Sequence, residues 1–289
     1  MSIPSEMTRS IISTTEGKLE VYFKGKQDNP LIIFLHGFPE YWKIWIQQIE
    51  YFESQGYFVC APNQRGYGHS FAPSSRRFYT LERLSKDIIG IIDQLPHDKA
   101  IIVGHDWGGG VVYHLATKYS TYFSHAIILN MPHPYVGRTY IFKKFEQMKK
   151  SFYVTLYQFP FVTSWLLRRN RFHHLTDAID KSIKGNEELR KQIKYELVDV
   201  WSSRPAILKG MINWYRANIF YNTKVKIDVP TLLLWGNEEE FILKELAEVS
   251  FEYLNHEKSR IEFIPDSIHS SHLEQPEIVN SMISEFISD

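Results

Sequence analysis

Ile101-Ile-Val-Gly-His-Asp-Trp-Gly-Gly-Gly110 is the stretch around which the rest of the chain is organised. An apolar run leads into Gly104-His105-Asp106-Trp107-Gly108, and Val111 to Tyr119 follows with helical character. The pattern reads as strand, sharp turn and helix. Small residues at 104 and 108 suit a tight turn, because a side chain at either place would collide with the crossing backbone. Such a turn lifts one side chain at the carboxyl end of a parallel sheet, the edge where open α/β sheets place their sites. The side chain lifted here is the carboxylate of Asp106.

Most chains with an elbow of this kind carry Ser and form an acyl-enzyme. A carboxylate can instead attack saturated carbon and form an alkyl ester, which suits epoxides and alkyl halides. The plainer alternative is a buried Asp that caps the following helix.

Composition narrows the class. The chain has 289 residues, 44% hydrophobic and 23% charged, enough for a large α/β core with an insertion. A formal net charge of zero gives no case for nucleic acid. The one cysteine, Cys60, excludes an intrachain disulfide and sits in the apolar run Tyr57-Phe-Val-Cys-Ala61, where a buried small residue is expected. Met1 to Ser10 lacks a basic-then-apolar signal pattern, and no apolar run nears the roughly 20 residues of a membrane span. A cytoplasmic location is expected.

Along the chain, Ile11–Thr15 and Leu19–Lys24 read as a hairpin around Gly17. Leu31–Leu35, Phe58–Pro62, Ile101–Val103 and His125–Asn130 read as buried strands, and Trp45–Ser54 as a helix. Thr80 reads as the cap of another helix, with Leu84, Ile88, Ile91 and Leu95 at helical spacing. From Tyr135 to Thr223 the segments are helical and aromatic, and the alternation returns with Thr231–Trp235 and Ile261–Ile264 before a helix from Pro276. The expected fold is α/β, a doubly wound, mostly parallel sheet with core segments 1–134 and 224–289 and a helical insertion over 135–223. Between Tyr135 and Lys194 thirteen Lys or Arg face five Asp or Glu. That excess reads as a solvated face or, less simply, as contact with an acidic partner or anionic membrane surface.

A carboxylate nucleophile needs a base for water, a group to orient that base, and stabilisation of developing charge. His269 and His272 are candidate bases after the last strand, with His269 nearer the expected loop. Glu238, Glu239 and Glu240 follow the Thr231–Trp235 strand as candidate orienting acids. Backbone N–H groups of Phe38, in His36-Gly-Phe-Pro39, and of Trp107 can form an oxyanion hole, and a cis bond before Pro39 would bend that loop tightly.

His36-Gly-Phe-Pro39, Gly104-His-Asp-Trp-Gly-Gly109, Asn213-Trp-Tyr-Arg216 and His269 followed by Leu273-Glu-Gln-Pro-Glu-Ile-Val-Asn280 carry a resemblance over nearly the whole chain. From about residue 20 onward the sequence resembles the epoxide hydrolases of the α/β-hydrolase superfamily. The elbow motif is shared with dehalogenases, whereas Asn-Trp-Tyr-Arg is more discriminating. The resemblance implies an α/β-hydrolase fold with a lid over 135–223. It implies Asp106 as nucleophile, His269 as base, seven residues before Pro276, and Glu239 as orienting acid. Relatives mostly carry Asp at that place, which leaves Glu238 as an alternative. Ser270 stands where relatives often have a bulky residue. Two lid tyrosines that protonate the epoxide oxygen are implied at Tyr215 and at Tyr153, five residues before Gln158-Phe-Pro160, with Tyr157 as competitor. The implied reactants are a small hydrophobic epoxide and water, with no cofactor and no metal. The rivals are a haloalkane or haloacetate dehalogenase, disfavoured by Phe38 at a place where such enzymes carry Asn, and a hydrophobic-ligand-binding module without turnover.

Overall fold

The computed structural model describes residues 7–289. Eight strands form one sheet: β1 Thr8–Ser13, β2 Lys18–Lys24, β3 Leu31–Leu35, β4 Phe58–Pro62, β5 Ala100–His105, β6 Phe123–Leu129, β7 Thr231–Gly236 and β8 Arg260–Ile264. Their spatial order is β1-β2-β4-β3-β5-β6-β7-β8. β2 is antiparallel to both β1 and β4, and every other pairing is parallel. Parallel central strands must be covered on both faces. Accordingly every residue of β3, β4, β5 and β7 is buried. Helix Leu81–Ile92 packs on Trp107–Lys118, and helix Ile46–Ser54 packs on Pro276–Ser288. Each fully buried Ile, Leu or Phe of these layers contributes about 1.5–3 kcal/mol of transfer free energy. Cys60 lies within this core.

The chain runs outward from β3 to β4 and then crosses back to β5 on the other side of β3. That reversal opens a crevice at the carboxyl ends of β3 and β5. The loop after β3 and the turn after β5 meet there. Asp106 sits in the turn at φ 48°, ψ −124°, a conformation costly for a residue with a Cβ. A Cβ on Gly104 would stand 2.5 Å from the Gly108 backbone, and one on Gly108 only 2.2 Å from the Leu35 carbonyl oxygen. The two glycines therefore let the helix start directly above β3 and β5.

Between β6 and β7 the described residues form seven helices, from Pro134–Lys143 to Ala206–Asn218, and no strand. Hydrogen bonds fasten this insertion to the core. Trp214 Nε1 donates to the Arg65 carbonyl at 2.9 Å, and Asn218 Nδ2 to the Tyr79 carbonyl at 2.8 Å. Asn218 also corrects the expectation at Thr80. The Thr80 side chain makes no capping bond to the helix beginning at Leu81. Instead Asn218 Oδ1 accepts from Leu81 N–H at 2.9 Å, so a tertiary contact satisfies a helix-end amide. Among the described residues no helix is long and apolar enough to cross a membrane.

Gly108→Ala should lower stability by about 1–3 kcal/mol, because backbone rather than a flexible side chain occupies the space a methyl needs. Chemical denaturation should show a lower midpoint with an unchanged slope. An unchanged midpoint would mean that the turn is not this tight.

Candidate active site

The Asp106 side chain projects into the crevice without capping its helix. Asp106 Oδ1 accepts from Phe38 N–H at 2.8 Å, and the Trp107 amide adjoins the carboxylate and helps to lower its pKa. The close approach needs Gly37, where a Cβ would fall 2.6 Å from the Asp106 Cβ. The Phe38–Pro39 bond is cis. One carboxylate oxygen is thus held by an amide of the β3 loop, while Oδ2 lies on the His269 side. Burial pushes the Asp106 carboxyl above its ordinary value, against the opposing pull of His269, His105 and the two amides.

His269 lies on the loop after β8. Its Nδ1–H donates to Glu239 Oε2 at 2.7 Å, and its Nε2 stands 3.8 Å from Asp106 Oδ2. The second distance is too long for a hydrogen bond and leaves Nε2 facing the cavity beside the carboxylate. Burial alone would lower the imidazole pKa. The Glu239 charge and hydrogen bond, followed by the Asp106 and Glu40 charges, outweigh burial and raise it to about 9. The loop can pass because residue 236 is glycine, where a Cβ would lie 1.8 Å from the Ile268 carbonyl oxygen.

The three acids after β7 separate cleanly. Glu239 is buried, held by Phe241 N–H at 2.7 Å and Asn130 Nδ2 at 2.6 Å as well as by His269. Its carboxyl lies below the ordinary value because these partners outweigh burial. Glu238 points to the surface and pairs with Lys184 at 2.7 Å. Glu240 is exposed. Of the two histidines, His272 lies away from the cavity, tilted against Trp45 at 4.3 Å, and burial holds its pKa well below the ordinary value.

Two cavities reach Asp106. One, of about 130 Å³, is apolar and runs past Trp107, Met131, Ile141 and Leu246. The other, of about 250 Å³, carries Lys150, His174, Asp177, Lys181 and His269. Asp106, Tyr153, Tyr215 and Ile242 border both. The Tyr153 and Tyr215 rings meet edge to face at 5.9 Å, and burial with the Asp106 charge raises both phenols above their ordinary value. Tyr157 packs among them at 5.1 Å from the Tyr215 ring. Its hydroxyl is taken by His174 Nε2 at 2.9 Å.

Further residues of the site were not singled out from sequence. Asn130, at φ 47° after β6, donates to both Glu239 and the Ile268 carbonyl and accepts from Ser271. It stands at the carboxyl end of a central strand, and that position was the available signal. Glu40 accepts from Gly37 N–H and pairs with His105 at 3.1 Å, while His105 Nε2 meets the His269 carbonyl at 3.0 Å. Burial opposes the Glu40 charge, but His105 and the neighbouring histidines bring its pKa down to about 2. Glu40, His105 and His272 each place one ligand-type atom within 4.8 Å of the others. Both ring nitrogens of His105 already face oxygen acceptors, so the cluster reads as a hydrogen-bonded support behind His269 rather than a metal site.

Glu239→Gln should drop the His269 pKa from about 9 by more than about one unit, measured by NMR titration. Glu238→Gln should leave it in place, since that carboxylate is spent on Lys184 at the surface. The reverse result would mean that Glu238, not Glu239, sets the charge on the His269 ring.

Comparison with known proteins bears on the family. The family model described as the α/β hydrolase fold matches residues 30–276. "AB hydrolase superfamily protein YfhM" of Bacillus subtilis is 35% identical over 96% of this chain and 97% of its own length. Human "Epoxide hydrolase 4" is 34% identical over 100% of this chain and 81% of its own. A solved epoxide hydrolase from metagenomes of hot environments superimposes with a TM-score of 0.86 at 27% identity, covering 97% of this chain and 98% of that one. With its sheet order, its elbow and these likenesses in agreement, the chain belongs to the epoxide hydrolase family of α/β hydrolases.

Proposed function

We propose that the protein hydrolyses epoxides to vicinal diols through an ester on Asp106. The observation that carries the reading is the common border of the two cavities. There a carboxylate with one oxygen tied to a backbone amide lies with two phenols, Tyr215 buried and Tyr153 partly so. Phenols raised by burial stay protonated at neutral pH and can give a proton to the ring oxygen as it leaves. Halide displacement needs no such acid.

In the proposed cycle Asp106 Oδ2 attacks a ring carbon and the carbon–oxygen bond opens. The alkoxide oxygen takes a proton from the Tyr153–Tyr215 pair. His269, oriented by Glu239, then removes a proton from water, and the hydroxide attacks the ester carbonyl. Charge gathers on Oδ1, where the Phe38 amide already lies and the neighbouring Trp107 amide can join it. Collapse expels the second alcohol, protonated by His269, and the proton remaining from water restores the tyrosine. Epoxide and water balance to diol. No step calls on a cofactor. The apolar limb suits an aryl or alkyl substituent, whereas the other limb is lined by polar and charged groups.

The resting His269 pKa of about 9 would hold the proposed base protonated at neutral pH. Alkylation removes the Asp106 charge, one of the causes of that elevation, so the pKa falls when the base is needed. The breakdown rate of the alkyl-enzyme should therefore rise with pH, since the neutral imidazole is the active form. The midpoint should lie below about 9, as measured by single-turnover kinetics. A rate that falls with rising pH would count against His269.

His269→Gln should accumulate an adduct on Asp106 with the mass of the whole epoxide, identified by peptide mass spectrometry. Diol formation should fall by roughly 10²–10⁴-fold, the usual scale for losing a general base. Halide release from alkyl halides, with no turnover of any aryl or alkyl epoxide, would replace this reading with a dehalogenase. Absence of both turnover and adduct would leave a binding module.

A further inference from the structure

Among the described residues thirteen large hydrophobic side chains are exposed, and eight of them lie between Phe142 and Trp165. Scattered exposed side chains are ordinary, whereas exposed rings gathered in one groove mark an interaction surface. Helix Pro160–Arg168 shows how it arises. Thr163 and Leu167 are buried against the protein, while Phe161 is 89% and Trp165 59% exposed. Phe161, Trp165, Arg168 and Arg169 together line a shallow outer groove. The helix thus has a satisfied inner face and an apolar outer one.

Cations accompany these rings. No Asp or Glu occurs between Glu146 and Asp177, a span that holds Lys149, Lys150, Arg168, Arg169 and Arg171. Lys149 Nζ lies 4.4 Å from the Phe145 ring centroid, and the Arg169 guanidinium 4.8 Å from that of Trp165. Among the described residues Lys149, Arg168, Arg169 and Arg171 have no carboxylate partner, although other insertion cations such as Lys144, Lys181 and Lys194 do. Unneutralised cations beside exposed Phe and Trp match the boundary of an anionic bilayer. Rings enter the headgroup–acyl zone there, and Lys and Arg reach the phosphates. The cytoplasmic leaflet carries the anionic lipid, which accords with the location expected from the sequence.

The surface also adjoins a route inward. The apolar cavity that ends at Asp106 is lined on the insertion side by Arg138, Ile141 and Phe142, and Phe142 is 56% exposed. From this we infer that the outer face of the insertion, Phe145 to Arg171, docks on anionic membrane surfaces. On the epoxide reading above, an apolar substrate dissolved in the bilayer then meets the cavity mouth without crossing bulk water. The docking itself does not depend on that reading.

Co-sedimentation of the full chain with vesicles tests it. Protein should pellet with mixed phosphatidylcholine–phosphatidylglycerol vesicles at low salt and much less with phosphatidylcholine alone. The double variants F161S/W165S and R168E/R169E should each weaken binding by about tenfold or more, while keeping the parent's thermal unfolding midpoint. Failure to bind anionic vesicles at low salt would overturn the inference, as would binding that neither variant weakens. A dimer of the free protein that F161S/W165S abolishes, in the absence of vesicle binding, would assign the face to a second copy instead. Binding with no epoxide turnover would sustain the docking and sink the enzymatic reading, so the two fail separately.

Discussion

A carboxylate held out of water at the mouth of a parallel sheet is the constraint on which the other features of the site depend. The Asp106 side chain is only 13% exposed, and desolvation disfavours its charge. The charge is tolerable because the Phe38 and Trp107 amides and the neighbouring imidazoles oppose the burial penalty. Those amides are available only if two loops approach within a few ångströms of each other. That approach requires glycine at 37, 104 and 108, where any Cβ would strike backbone or the Asp106 side chain. The strained backbone of Asp106 and the missing side chains around it are thus two sides of one requirement.

The second requirement, on the proposed cycle, is that the His269 ring keep its direction. A histidine on a loop has little local reason to hold one rotamer. Here Glu239 fixes its Nδ1, and Glu239 is itself held by Asn130 and the Phe241 amide. The backbone of the same histidine is held from behind by His105, which Glu40 secures. Side chain and main chain are therefore restrained by separate networks, one from β6 and β7 and one from β3 and β5. A site restrained twice in this way loses little on closing over a substrate, since its reacting groups are already oriented.

The sheet was legible because its strands are continuous apolar runs and its elbow is marked by glycine. Leu31–Leu35 and Phe58–Pro62 read from sequence with the bounds the structure gives them. The proposed site was legible only where a motif carried the residue. Spacing cannot separate Tyr153 from Tyr157, which stand four apart on nearly the same helical face. The distinguishing contact, His174 on the Tyr157 hydroxyl, comes from another helix. Adjacent acids in a loop pose the same difficulty. Glu238 and Glu239 differ in direction, not in chemistry, and direction was set by Lys184 on one side and His269 on the other. Asn218 capping a core helix and Asn130 gripping Glu239 are longer-range still, with partners more than a hundred residues away. Local periodicity holds no record of such pairs.

The insertion meets opposed demands with its two faces. Inward it must exclude water, since the phenols and the carboxylate interact strongly only where the dielectric is low. Tyr153, Tyr157 and Tyr215 supply that face, packed edge to face at ring separations of 5.1 to 5.9 Å. Outward a conventional surface helix would be polar, and Pro160–Arg168 is not. A purely protective cover gains nothing from exposed Phe161 and Trp165. Their cost in solubility is offset if something apolar meets them, and Arg168 and Arg169, without a carboxylate partner among the described residues, suit an anionic one. A lipid surface has both properties at once, and it is also where an apolar substrate would accumulate.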